Sequence, residues 1–157
     1  MSSGREVLAR LYDAFGRADG PAMAACYGPG ARFSDPVYPE LRGAEVGAMW
    51  RMLTGRAQDL RIEVRELEAD DRAGRATWLA TYRFGPARRP VANQVTSTFD
   101  LADGLIAAQR DDFDFHAWAA QALGARGRLL GWTPMVRDAV RAQAAKGLQD
   151  FLAAEST

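Results

Sequence analysis

Apolar residues in the first third of the chain recur with a helical period. Val7, Leu8, Leu11, Tyr12 and Phe15 share one helical face, and Ser3-Gly4-Arg5-Glu6 ahead of them is a capping-box pattern, so the spacing predicts a first helix here. Asp19-Gly20-Pro21 reads as the cap and first turn of a second, short helix that carries Met23, Cys26 and Tyr27 and is stopped by Gly28-Pro29-Gly30. A short apolar strand, Ala31 to Ser34, then meets an Asp35-Pro36 turn. A third helix follows Gly43, with Val46, Met49, Trp50 and Leu53 at i, i+3, i+4 and i+7, and ends near Gly55.

From Leu60 the period changes to two. Leu60, Ile62 and Val64 alternate with Arg61, Glu63 and Arg65. Asp71 to Gly74 supplies a hairpin turn into a strand with Ala76, Trp78, Ala80, Tyr82 and Phe84 on one face and Thr77, Leu79, Thr81 and Arg83 on the other. Val91, Asn93, Val95, Ser97, Phe99 and Leu101 continue the sheet, and Ala102-Asp103-Gly104 is an Asp-Gly hairpin into a strand from Leu105 to Phe113. Helical spacing then returns. Trp118, Ala122 and Leu123 share a face, Gly124 and Gly127 interrupt, and Thr133-Pro134 caps a last helix bearing Val136, Val140, Leu148, Phe151 and Leu152. A run of strands bracketed by helices predicts an α+β architecture with helices packed on one face of a curved sheet.

At 157 residues the chain is read as one domain, large enough to bury a core or enclose a cavity. Acidic and basic residues balance at 20 each, and the basic ones are scattered, which argues against a nucleic-acid footprint or a polybasic membrane anchor. Cys26 is the only cysteine, so no intramolecular disulfide or cysteine-based metal site forms. No apolar signal core precedes the first helix, and no stretch approaches the roughly 20 apolar residues of a membrane span. These features predict a soluble cytoplasmic protein.

Asp35 is the leading candidate for chemistry. Pro36 fixes its own φ, removes an N–H and holds Asp35 out of helix, at the end of an apolar strand where a carboxylate can enter a pocket and move protons. The alternative is an Asp that initiates the turn by bonding the backbone two residues on. Asp111 shares a strand face with Gln109 and Phe113, so it points inward if Phe113 does. Arg110, Asp112 and Asp114 are read as a solvated strand end, with Asp114 capping the next helix. Asn93, Ser97 and Gln109 are candidate ligand-binding polar groups, and Tyr12, Trp50, Trp78, Tyr82 and Phe113 candidate pocket walls, although aromatics at such spacings also serve as core. His116, the only histidine, is read as packing at a helix start rather than binding metal. Nucleotide-binding, zinc-protease and nucleophile-elbow motifs are missing, and Cys26 has no histidine near it in sequence.

The element order, the strand-ending Phe33-Ser34-Asp35-Pro36, the downstream Leu41-Arg42-Gly43 and the closing Ile106-Ala107-Ala108-Gln109-Arg110-Asp111-Asp112-Phe113-Asp114 together resemble the nuclear transport factor two superfamily, and within it the SnoaL-like group. The resemblance covers about residues 5 to 116. It implies a cone-shaped α+β barrel over residues 1–116, its mostly antiparallel sheet wrapped on helices around one pocket, commonly as a homodimer. Residues 117–157 form a helical extension packed on the same domain or on its dimer mate.

Likeness to the ketosteroid isomerases places Asp35 at their general base, with Leu11 and Ser97 where two oxyanion donors stand and Tyr12 adjacent. Likeness to limonene epoxide hydrolases places Asp111 on a catalytic carboxylate, through Arg110-Asp111-Asp112-Phe113-Asp114, but puts Trp78 and Ala80 where that triad has its arginine and second aspartate. Polyketide cyclases of the SnoaL type, which use a pocket carboxylate with few other fixed groups, are the least contradicted relatives. Two functions follow. One is a cofactor-independent isomerase, cyclase or hydrolase acting on a small apolar molecule through Asp35, with Asp111 as companion. The other is a non-catalytic module that binds a hydrophobic ligand or dimerises through the uncharged outer face of Thr77, Leu79, Thr81, Thr96 and Thr98.

Overall fold

The computed structural model describes residues 3–156. Helix α1 (Gly4–Gly16) starts as the sequence predicts, with the Ser3 hydroxyl accepting the Glu6 N–H at 3.1 Å. It buries Val7, Leu8, Leu11, Tyr12 and Phe15. Helix α2 (Gly20–Ala24) is capped by the Asp19 carboxylate, which accepts the Ala22 N–H at 3.1 Å.

Strand β1 (Tyr27–Ser34) begins earlier than expected. Tyr27 and Gly28-Pro29-Gly30, predicted as the end and stop of helix two, belong to it. Pro29 and Gly30 are exposed there, where a strand tolerates a missing N–H. The two-residue strand β2 (Leu41–Arg42) pairs back on β1, and helix α3 (Ala44–Arg56) follows. Leu53, predicted on its core face, is exposed, while Met52 and Thr54 are buried.

The long strands β3 (Gln58–Ala69), β4 (Ala73–Phe84), β5 (Arg89–Ala102) and β6 (Leu105–Asp112) form an antiparallel meander. The β3–β4 turn lies at Asp70–Arg72 rather than Asp71–Gly74. The Asp70 carboxylate accepts the Arg72 and Ala73 N–H groups at 2.8 and 2.9 Å and so closes the turn itself, while Gly74 already pairs with Ala69. Asp103 and Gly104 both take positive φ, 56° and 75°, as a tight Asp-Gly hairpin demands.

The six strands make one open, mixed sheet in the order β2-β1-β6-β5-β4-β3, in which β1 runs parallel to β6. Its inner face carries Ala76, Trp78 and Ala80 from β4, and Val91, Val95, Ser97, Phe99 and Leu101 from β5, all buried. Rings interlock there. Phe15 stands edge-on to Trp50 and Trp78 at 5.1 and 5.3 Å, and Phe33 meets Trp50 at 5.5 Å.

The tail folds back onto this same chain. Helix α4 (Phe115–Leu123) is capped by Asp114, helix α5 (Ala125–Leu130) follows, and helix α6 (Pro134–Glu155) is capped by Thr133. Gly124, at φ 71°, makes the break between α4 and α5. Gly127 sits inside α5 and lets it approach α4, since a Cβ there would lie 1.8 Å from the Ala119 carbonyl oxygen. Phe115, Trp118, Ala119, Ala122 and Val136 form a second apolar cluster with Val91, and Leu148 of α6 enters the main core.

Candidate functional site

Parallel pairing of β1 with β6 builds the site. Ser34 lies opposite Arg110, so the next residues, Asp35 and Asp111, come together at one end of the sheet although 76 positions separate them in sequence. A cleft of about 390 Å³ opens there, lined by Asp35, Pro36, Pro39, Asp111, Phe113 and Phe115, with Arg137 and Arg141 from α6 on its rim.

Asp35 both starts the turn and lines the cleft. Its Oδ1 accepts the backbone N–H groups of Val37 (2.7 Å) and Tyr38 (2.6 Å), so it does initiate the turn. Its own N–H donates to the Tyr38 carbonyl at 2.8 Å. Oδ2 carries no hydrogen bond among the described residues and is left for the cleft. Burial pushes the Asp35 carboxyl up from 3.8 to about 6, against the lowering pull of the two backbone hydrogen bonds and the Arg141 charge.

Asp111 is held from behind by side chains. Its Oδ1 accepts from Ser97 Oγ at 2.5 Å and from Gln109 Nε2 at 2.9 Å. Each donor is anchored in turn. Ser97 Oγ accepts the Trp78 indole N–H at 2.8 Å, and Gln109 Oε1 accepts the Tyr27 hydroxyl, whose oxygen accepts the Trp50 indole N–H at 2.8 Å. Two indoles thus terminate a relay that converges on one carboxyl oxygen. Burial raises Asp111 from 3.8 to about 7; the Ser97 and Gln109 hydrogen bonds pull it down, and the nearby Asp35 and Asp112 charges push it further up.

The Tyr12 hydroxyl is buried without a hydrogen-bond partner of acceptable geometry, although Ser97, Trp78 and Asp111 are its neighbours. Burial and the Asp111 charge push its pKa far above that of a free phenol.

The remaining residues proposed from sequence fall into distinct places. Phe113 lines the cleft beside both carboxyls. Ser97 and Gln109 sit behind Asp111, and Ser97 pairs with Trp78 and Asp111 rather than with Asn93. Tyr12, Trp50 and Trp78 belong to the packed ring cluster. Tyr82 meets the tail, its hydroxyl accepting the Trp118 indole N–H at 2.8 Å. Asn93 is half-buried opposite Ala80 on β5, outside the cleft lining. His116 is exposed on α4, its Nε2 3.1 Å from the Arg128 carbonyl oxygen. No cluster of metal-ligating side chains occurs among the described residues.

Three contributors escaped the sequence analysis. Tyr27 was assigned to a helix. Arg137 and Arg141 carried one available signal, their i, i+4 spacing on a helix whose opposite stripe is apolar.

The same architecture recurs in solved structures. An epoxide hydrolase of M. tuberculosis described as limonene-epoxide-hydrolase-like superposes with a TM-score of 0.65 at 21% identity, covering 80% of this chain and 92% of that one. A protein of Catenulispora acidiphila with a ketosteroid isomerase-like fold, solved with trimethylamine, gives 0.68 at 13% identity over 82% of this chain and 98% of its own. A Jannaschia protein assigned as a SnoaL-like polyketide cyclase gives 0.67 at 19% identity over 77% and 92%. At these identities the likeness concerns the fold. No curated protein matches the sequence. Residues 8–109, most of the chain, including Asp35 but ending within β6 before Asp111, match the SnoaL-like domain, and the chain belongs to that family.

Proposed function

We propose that this protein is a proton-transfer enzyme of the isomerase or cyclase type that binds a small, largely apolar molecule in the cleft, with Asp35 as general base and Asp111 as its acidic companion. The observation that supports it is the joint placement of two carboxyls in one cleft, neither within ion-pair distance of a cation among the described residues. Their environments differ, and a pair with separated pKa values can divide the two roles. An ionised Asp35 accepts the proton of an activated C–H, and a protonated Asp111 donates to the oxygen on which negative charge develops. Pro36, Phe113 and Phe115 supply the apolar wall. The chemistry calls for no cofactor.

The test is hydrogen–deuterium exchange, followed by NMR, on a panel of enolisable cyclic ketones and 1,3-diketones. Wild-type protein accelerates exchange of at least one, and Asp35→Asn lowers that rate by about 10² to 10⁴. Exchange that Asp35→Asn leaves unchanged removes the base from this role.

A second reading rests on the outer sheet face. Arg32, Ser34, Thr98, Asp100, Ala108 and Arg110 line a groove of about 420 Å³ there, beside the half-buried Thr77, Leu79, Thr81 and Thr96. A second copy of the chain seated on this face would make the protein a dimeric binding module. Sedimentation with a Thr98→Arg variant, which adds a bulky charge to this face, tests it, the expected result being a wild-type dimer and a variant monomer.

A further inference from the structure

The rim of the cleft carries more positive charge than its structural partners consume. Of the three arginines there, Arg110 is matched by Asp112 at 3.5 Å. Arg137 and Arg141, one turn apart on α6, make no ion pair within 4.0 Å among the described residues. Both are oriented by uncharged groups. The Arg141 Nε donates to the Pro36 carbonyl at 2.8 Å, and its terminal nitrogens make no hydrogen bond or ion pair among the described residues. The Arg137 guanidinium lies over the Phe115 ring, 5.3 Å from its centroid. A guanidinium held by one edge or one face keeps its remaining donors as a planar fork suited to a carboxylate or enolate. Neither Asp35 nor Asp111 pairs with that fork within 4.0 Å among the described residues, although the Arg141 charge is felt at Asp35, and Pro36, Phe113 and Phe115 line the same cleft.

We propose that the cleft takes a molecule whose apolar body carries an anionic group, gripped at the rim by Arg137 and Arg141 while its reactive carbon faces Asp35. The proposal rests on the cleft being the reaction site and adds the substrate class: an organic acid or acidic enol rather than a neutral hydrocarbon-like ligand. It also gives the helical extension a role, since Arg137 and Arg141 both lie on α6, beyond the matched family domain.

The test compares 3-phenylpropionate with its neutral amide, 3-phenylpropanamide, by calorimetry on the full chain at low salt. The carboxylate binds at least about tenfold more tightly than the amide, and the double variant Arg137→Gln/Arg141→Gln loses that preference. The double Lys variant keeps the charge and retains binding within about tenfold of wild type, with unchanged circular dichroism in both variants. Asp35→Asn separates the two ideas: it stops exchange chemistry but leaves the carboxylate preference intact. If no ketone undergoes exchange while the arginine-dependent preference persists, the catalytic reading fails, and of this proposal only the grip of Arg137 and Arg141 on an anionic group stands. Equal binding of acid and amide, binding of neither at millimolar concentration, or a preference that survives loss of both guanidiniums overturns it.

Discussion

Asp35 and Asp111 share a cleft, and both resist ionisation, yet they are held in opposite ways. Asp35 is fixed by two backbone N–H groups of the turn it starts, so its ionised form is locally supported and its pKa rises only to about 6. Asp111 sits at the floor, more deeply buried, and is held by side chains that are themselves pinned by Trp78, Tyr27 and Trp50. Its pKa rises to about 7. A carboxylate supported by backbone dipoles suits a base, whereas one inside a low-dielectric relay suits an acid that keeps its proton.

The largest effect that separates them is on stability against pH. Each has a folded-state pKa above its unfolded value of 3.8, so between these values the folded protein holds more protons than the unfolded chain. The stability these two groups contribute is then fully present below about pH 3.8 and is lost as pH rises, through about 6 for Asp35 and about 7 for Asp111, at about 1.4 kcal/mol per pH unit for each group while it stays protonated only in the fold. Asp111→Asn keeps an acceptor for Ser97 and Gln109 and cannot ionise. Urea melts at pH 8 should therefore find Asp111→Asn more stable than wild type by a few kcal/mol, with a flattened pH dependence. Asp35→Asn should gain less, because the charge it loses was held by two N–H groups. An equal gain from both would erase the distinction.

Cutting the relay comes next. Ser97→Ala removes one donor from Asp111 and leaves the Trp78 indole N–H without an acceptor in a buried site, at a cost of about 1 to 3 kcal/mol. It should also move the Asp111 titration upward, since that hydrogen bond favours the ionised form. A carboxyl ¹³C NMR titration reads the direction. Tyr27→Phe leaves Gln109 Oε1 and the Trp50 N–H unmatched but lies one residue further from the carboxyl, so it should cost a similar amount of stability and move the Asp111 titration less. A larger movement from Tyr27→Phe than from Ser97→Ala would mean that Gln109, not Ser97, governs the acid.

Much of this site was legible in the sequence, and what escaped shares one physical cause. Period-two alternation assigned the inner faces of β4, β5 and β6, and so Ser97, Gln109 and Asp111, because a strand's side chains alternate whatever it packs against. Capping by Ser3, Asp19, Asp114 and Thr133 was readable for the same reason, being local. The parallel pairing that sets Asp35 beside Asp111 was not, since no local pattern says which strand will neighbour a distant one. Leu53 misled because helical spacing locates an apolar stripe but not its edge, and α3 is covered on the face of Met49, Trp50 and Met52 instead. The Asp70 turn was missed by one residue, since the carboxylate that closes it precedes the glycine that marks it. Arg137 and Arg141 reach the site only because the tail folds back across the Asp35 turn.

The smallest effect concerns the hydroxyl that the relay leaves out. Tyr12 adjoins Ser97 and Trp78, but Ser97 Oγ already receives the indole N–H and donates to Asp111, so no well-aligned partner remains for the phenol. A buried hydroxyl without a partner opposes folding, and deleting it keeps the ring contacts with Trp78 at 5.8 Å and Phe99 at 6.5 Å. Tyr12→Phe should then leave stability unchanged or raise it by up to about 1 kcal/mol, within the range of a lost desolvation penalty. The same substitution asks whether the orphan is kept for a ligand. If the hydroxyl donates to a bound molecule next to Asp111, Tyr12→Phe lowers exchange activity while the fold gains, a trade of stability against function that a purely packed ring would not show. A loss of stability above about 1 kcal/mol would mean that the hydroxyl already has a partner in solution, such as a bound water linking it to Asp111. Asp111 would then be held by three groups rather than two, and the contrast with Asp35 would widen.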